Sequence, residues 1–200
     1  MVFCSYAKVS DILPVCTACP TSEHERESAA ARVLLGRLYV EARERCPSLP
    51  REMPELIRES GGKPRFAGGT AELSLSHDAG CVFAAIAVGE GEIGIDLVSL
   101  EREIPRTSEI AARFFSEGER SALLLREPEE RREEFLRIWA RKEAAVKASG
   151  EGAAALRRTD TSREALGARS LSEANGAGVL FEDEITLGGR RFFAVIYKKG

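Results

Sequence analysis

Cys81-Val82-Phe83-Ala84-Ala85-Ile86-Ala87-Val88-Gly89-Glu90-Gly91-Glu92-Ile93-Gly94-Ile95-Asp96-Leu97-Val98 holds two short apolar runs around a Gly-Glu-Gly break. Each run has the length and composition of a strand, and the break between them reads as a hairpin turn. A further short strand, Glu72 to Ser76, precedes them. Upstream, Ser22 to Arg45 reads as a helix: Ser22 caps it, Glu25 completes the capping box, and Ala30, Val33, Leu34 and Leu38 keep helical spacing. The Gly/Pro-rich stretch 61–69 reads as a loop. Downstream, helices are expected around Glu109 to Leu125 and Glu130 to Ser149, then strands Val179 to Leu187 and Arg191 to Tyr197 across Gly188-Gly189. Helix then strands is followed by a longer version of helix then strands. The pattern implies an α+β chain of two similar lobes, 1–91 and 92–200, meeting near Gly89 to Glu92.

The totals narrow the function classes. The chain has 200 residues, enough for one domain or two small lobes, and its 44% hydrophobic and 30% charged content fits a folded protein. A net charge of −3 offers no global attraction to nucleic acid or anionic membrane, so any basic site is local. No apolar run approaches the roughly 20 residues of a membrane span. The start Met1-Val2-Phe3-Cys4-Ser5-Tyr6-Ala7-Lys8 lacks the order of a secretory signal. Five cysteines without a framework spacing suggest a reduced, cytoplasmic setting. Cys16 and Cys19 form a lone CxxC, with no second pair to complete a zinc site.

Three constellations carry chemistry. In Ile93 to Val98, alternation turns Ile93, Ile95 and Leu97 to one face and Gly94, Asp96 and Val98 to the other. Gly94 leaves room beside Asp96 for something to approach, and a carboxylate on an apolar strand must be paired, hydrogen-bonded or metal-bound. In Phe135 to Ser149, Phe135, Trp139 and Val146 form a helical stripe, and Glu143 falls within about 40° of Trp139. An ion pair from Glu143 to Lys147 would serve equally well on the solvated face, so its place beside the stripe asks for another cause. Ser76 and His77, at a strand end, and Lys63, on a loop stiffened by Pro64, could donate to phosphate. His77 alone reads as a satisfied structural histidine before it reads as a ligand.

Read together, Gly62-Lys63-Pro64, Leu75-Ser76-His77, Ile93-Gly94-Ile95-Asp96, Arg113-Phe114-Phe115-Ser116 and Trp139-Ala140-Arg141-Lys142-Glu143-Ala144-Ala145-Val146-Lys147 resemble the 4′-phosphopantetheinyl transferases of the two-lobed, surfactin-synthetase-activating type. Ala31-Arg32-Val33-Leu34-Leu35-Gly36 is similar to that family's first-helix motif, and Gly150-Glu151-Gly152 to its glycine pair. The resemblance implies a two-lobed pseudo-dimer. It also implies transfer of the phosphopantetheine arm of coenzyme A to a serine of an apo carrier protein, leaving adenosine 3′,5′-bisphosphate. By the same resemblance, Asp96 and Glu143 hold Mg²⁺, Lys147 neutralises pyrophosphate charge, and Glu143 serves as general base. His77 with Ser76 would bind the 3′-phosphate, and Lys63 and Arg32 the nucleotide's phosphates. A monomer is expected, because one chain supplies both sides of the cleft.

The chain departs from the family pattern in three places. Val98 stands where many members carry a third carboxylate, Asp78 replaces the second serine of the SHS-type strand end, and the basic pair before the first-helix motif has no counterpart. Two other readings compete: a weak relative that only binds coenzyme A or carrier protein, and a zinc or redox protein built on Cys16 and Cys19.

Overall fold

The computed structural model describes residues 1–13, 22–58, 62–162 and 178–199. The chain runs β1 (Val2–Lys8), α1 (Val9–Ile12), α2 (Glu23–Arg45), β2 (Leu56–Arg58), β3 (Pro64–Phe66), β4 (Glu72–Asp78), β5 (Cys81–Ala87) and β6 (Ile93–Ser99). It continues with α3 (Thr107–Phe114), α4 (Glu117–Leu124), α5 (Arg131–Ser149), a 3₁₀ turn (Ala153–Arg157), β7 (Gly178–Leu187) and β8 (Arg190–Lys198). Helices and antiparallel sheets are mixed, as the α+β reading expects. Cys16 and Cys19 lie outside the described residues. Among the described residues, no helix is long and apolar enough to cross a membrane.

Two three-stranded sheets form, in the orders β1-β5-β4 and β6-β8-β7. The expected hairpin across Gly89-Glu90-Gly91 does not occur. β5 lies in the centre of the first sheet with both edges already taken by β1 and β4, so β6 must leave it and pair with β8. Gly89 and Gly91 both adopt positive φ, and they carry the chain from one sheet to the other. Every residue of β5 and β6 is buried, which explains why neither shows the polar alternation of a half-exposed strand.

The layers follow from that burial. Val82, Ala84 and Ile86 of β5 pack under Leu34, Leu35 and Leu38 of α2. Phe83 and Ala85, on the opposite face of β5, meet Ile93, Ile95 and Leu97 of β6 and Phe192 and Ala194 of β8. On the far side of the second sheet, Val98, Phe193 and Val195 pack against Leu136, Ala140 and Ala144 of α5. The order is helix, sheet, sheet, helix, with the outer helices covering apolar faces that would otherwise meet water.

Local signals explain the boundaries. Ser22 and Glu25 form the expected capping box on α2. The single helix expected over Glu109 to Leu125 is two, because Ser116 starts a new one with its own capping box to Glu119. Pro64–Phe66, expected as loop, pairs with Leu56–Arg58 as a short hairpin. β1, for which no strand was expected, completes the first sheet through pairs from Val2↔Ala87 to Lys8↔Cys81.

One contact joins the two sheets without a backbone ladder. β4 and β6 run in step, and side-chain oxygens of β4 accept the amides of β6: Ile95 N–H to Ser74 Oγ at 3.1 Å, Leu97 N–H to Ser76 Oγ at 3.2 Å, and Ser99 N–H to Asp78 Oδ2 at 2.8 Å. The spacing of two between Ser74, Ser76 and Asp78 places all three side chains on one face of β4. Asp78 is therefore a strut of this seam, and Arg102 also reaches its carboxylate.

Candidate active site

The site begins with the absence of a side chain. A Cβ on Gly94 would stand 2.0 Å from the Ala144 carbonyl oxygen and 2.3 Å from the Ala148 amide nitrogen. What approaches the strand beside Asp96 is thus the backbone of α5 itself. That contact holds the helix against β6 and delivers Glu143 and Lys147, one turn apart, to Asp96, two residues after Gly94 on the same face of the strand.

Asp96 is 8% exposed. Its Oδ1 accepts from Lys147 Nζ at 2.7 Å and from Ser76 Oγ at 2.8 Å, and Lys147 Nζ lies 3.2 Å from Ser76 Oγ. Ser76 spends its one proton on Asp96 and takes the Leu97 amide, so its hydroxyl orients the carboxylate instead of facing a ligand. Lys147 passes over Glu143, its helical i−4 neighbour, and pairs with Asp96. Among the described residues, no hydrogen bond or ion pair engages Glu143. Burial raises its pKa above the ordinary carboxyl range, the negative charge of Asp96 raises it further, and Lys147 opposes both.

These groups line one cavity of about 310 Å³, together with His77, Val98, Arg102 and Trp139. Trp139 is held from behind by stacked rings: Phe115 on Phe135 at 5.0 Å and Phe135 on Trp139 at 6.2 Å between centroids. The aromatic stripe read from the sequence is the wall that sets Glu143 in the cavity. Val98 packs with Leu136 and Ala140, so the strand supplies one carboxylate where two could stand.

His77 sits at the same cavity, held from the α2 side. Its Nδ1 lies 2.8 Å from Glu27 Oε2, and Glu27 Oε1 accepts the Gly80 amide at 2.8 Å. A carboxylate only accepts, so Nδ1 carries the proton and Nε2 is the nitrogen left for a ligand.

Asp96, Glu143, Lys147, Ser76 and His77 are brought together; Lys63 and Arg32 are not. The Lys63 ammonium, 6% exposed, bonds the Glu72 carboxylate at 3.0 Å and the Ile93 carbonyl at 2.7 Å. Burial lowers its pKa against the pull of Glu72. There it ties the start of β4 to the start of β6. Arg32 is on the exposed side of α2. Neither lines the cavity.

Sequence reasoning missed the support behind α5. Lys142 is fully buried and pairs with Glu119, 1% exposed, at 2.8 Å, while also reaching the Thr159 carbonyl. The other oxygen of Glu119 accepts from the amide and hydroxyl of Thr161, each at 2.7 Å. A capping-box glutamate is expected to serve its own helix and water; nothing local marks it as the partner of a lysine on another helix.

The arrangement offers an unpaired carboxylate beside a paired one, an ammonium and an imidazole in one cleft. The donor set fits a hard divalent cation: oxygen ligands, two carboxylates, and room for water and a phosphate oxygen.

Comparison with known proteins gives a consistent picture. Residues 92–184 match the model of the 4′-phosphopantetheinyl transferase superfamily. The 4′-phosphopantetheinyl transferase AcpT of Salmonella typhi is 37% identical over 102 residues, 50% of this chain and 52% of that protein. The 4′-phosphopantetheinyl transferase Sfp of Bacillus subtilis is 37% identical over 82 residues, 41% of this chain and 34% of its own. The 4′-phosphopantetheinyl transferase HetI of a Nostoc strain is 37% identical over 102 residues, 49% and 42% respectively. The first of these matches spans about half the length of the relative.

Proposed function

We propose that the chain, whose residues 92–184 match the model of the 4′-phosphopantetheinyl transferase superfamily, is a member of it and moves the phosphopantetheine group of coenzyme A onto a serine of an apo carrier protein. The observation that carries the reading is the convergence of Asp96 and Glu143 with Lys147 on one cavity.

Asp96 and Glu143 would hold a Mg²⁺ ion, which would offset the negative charge that builds on the departing adenosine 5′-phosphate as the serine oxygen bonds the phosphopantetheine phosphorus and the bridging P–O bond breaks. Lys147, fixed against Asp96 and Ser76, keeps that carboxylate oriented and adds positive charge at the same place. Glu143, whose carboxylate is otherwise unpaired among the described residues at the cavity, takes the proton of the attacking serine. His77 faces the nucleotide end, with Nε2 toward a phosphate and Glu27 fixing the ring through Nδ1. Arg102, exposed at the same mouth, is a second cation for that end. Ser76 acts through Asp96, and Lys63 acts on the fold.

The repeated order of strand, long helix and hairpin, with the first strand of each sheet pairing to its third, supports two related halves, 1–91 and 92–200. On this reading coenzyme A lies where they meet, and the chain works as a cytoplasmic monomer on a carrier protein, without nucleic acid or membrane.

The test is to incubate the protein with an apo carrier protein, coenzyme A and Mg²⁺, then weigh the intact carrier. The reading predicts a phosphopantetheine adduct on one serine, dependent on Mg²⁺ and lost in Glu143→Gln. An unmodified carrier across fatty-acid, polyketide and peptide-synthetase types, with coenzyme A still bound, would instead identify a binder without turnover.

A further inference from the structure

The chain has two histidines, and both stand beside one carboxylate. His24 and Glu27 share a face of the first turns of α2, and His77 comes from β4. One ligand atom from each lies within 4.8 Å of the other two. The His24 and His77 rings meet edge to face at 5.1 Å.

We propose that His24, Glu27 and His77 form a second metal site, selective for a borderline transition ion such as Zn²⁺ and distinct from the carboxylate pair. Two imidazoles and one carboxylate suit zinc, cobalt or nickel, whereas Mg²⁺ takes oxygen donors. The His77 Nδ1 and Glu27 Oε2 atoms, 2.8 Å apart, need to open by only about 0.5 Å to flank a tetrahedral ion with bonds of about 2.0–2.1 Å. On binding, the Nδ1 proton leaves to solvent and the ion takes its place between those atoms, while His24 turns in from the exposed side. The outer shell already exists: the Gly80 amide holds the remaining oxygen of Glu27, which fixes the direction of the ligating one. A cleft of about 670 Å³, lined by Glu23, His24, Glu27 and Asp78, opens onto the cluster and gives the ion a route and room for water ligands.

The site has a consequence that rests on the proposed transferase reading. An ion held there takes His77 through Nδ1 and fixes the ring whose Nε2 faces the nucleotide phosphate, so it alters how coenzyme A is held. Zinc therefore changes the KM for coenzyme A, and His24 is the residue that creates this sensitivity.

The experiment is equilibrium dialysis of the full chain against Zn²⁺, in buffer with excess Mg²⁺ to occupy the carboxylate pair, with Co²⁺ electronic spectra as a second readout. Wild type takes up one ion per chain; His24→Ala weakens uptake about tenfold or more; a Cys16→Ser, Cys19→Ser double variant keeps it. His24→Ala retains zinc-free transfer and no longer shows a zinc-dependent change in KM for coenzyme A. No uptake by wild type, undiminished uptake by His24→Ala, or loss of uptake in the cysteine variant overturns the proposal. Dialysis does not depend on turnover, so a chain that binds zinc but transfers nothing contradicts the transferase reading alone.

Discussion

α2 and α5 occupy matching places, each a long helix over a three-stranded sheet, yet they meet their sheets differently. α2 lies down on apolar side chains, Ala30, Ala31, Leu34, Leu35 and Leu38, and a Cβ on its Gly36 would touch nothing within 4 Å. α5 reaches the backbone of its strand at Gly94, and it buries Lys142 and sets Glu143 and Lys147 at a cavity. An apolar interface tolerates small shifts because its contacts are non-directional. A site made from two elements does not, since a shift of about 1 Å costs rate steeply. The second half is built for position and the first for cover.

The contrast is broken most severely at the two glycines. Gly94→Val forces side-chain atoms into the backbone of α5, where neither partner can move without breaking helix or sheet. Thermal melts and circular dichroism should show loss of the native fold, or a loss of about 3 kcal/mol or more in whatever remains. Gly36→Ala should do the opposite, stabilising by about 0.5–1 kcal/mol. A Gly94→Val variant that melts like wild type would mean α5 does not touch β6 as described.

Next come the carboxylates. Glu143→Gln and Asp96→Asn should lower transfer by about 10²–10⁴-fold with the fold retained, read by carrier labelling beside far-ultraviolet spectra.

The buried pair behind α5 comes third. Glu119→Gln or Lys142→Met leaves a charge without its partner and should cost about 3–5 kcal/mol in denaturant unfolding. The double replacement, which removes both charges, should recover much of the loss. Equal losses that simply add would show that the pair is not coupled.

The smallest effect is a matter of pH. Because the folded state raises the pKa of Glu143, it binds that proton more tightly than the unfolded chain does. Its contribution is present below the unfolded value, about 4.3, and is lost as pH rises through the raised folded value. In chelator, Glu143→Gln should therefore melt above wild type at pH 8, and the gap should close in acid. Bound Mg²⁺ should draw the raised value back down, so the melting gap at pH 8 should shrink when Mg²⁺ replaces the chelator.

Much of the second half was legible in the sequence. Period-two alternation placed Asp96 opposite Ile95 and Leu97, and the helical stripe placed Glu143 beside Trp139, because both signals are local. Gly94 was recognised as a place of close approach, though not as the seat of α5. The hairpin at Gly89-Glu90-Gly91 failed because glycine reports turning but not the destination, and β5 had no edge left to offer. Lys63 and Ser76 read as phosphate donors because a sequence shows a donor without the acceptor that claims it. Glu72, Ile93 and Asp96, the acceptors in question, are brought in by the fold. Glu27 and Glu119 were invisible for the same reason, since each is committed to a lysine or histidine far along the chain.

The central claim is that Asp96 and Glu143 share one divalent ion, and Mn²⁺ binding followed by electron paramagnetic resonance, with coenzyme A present, reads it directly. Wild type should bind one ion at this site, and Asp96→Asn and Glu143→Gln should each abolish it while coenzyme A still binds. Undiminished Mn²⁺ binding in both variants would contradict the account.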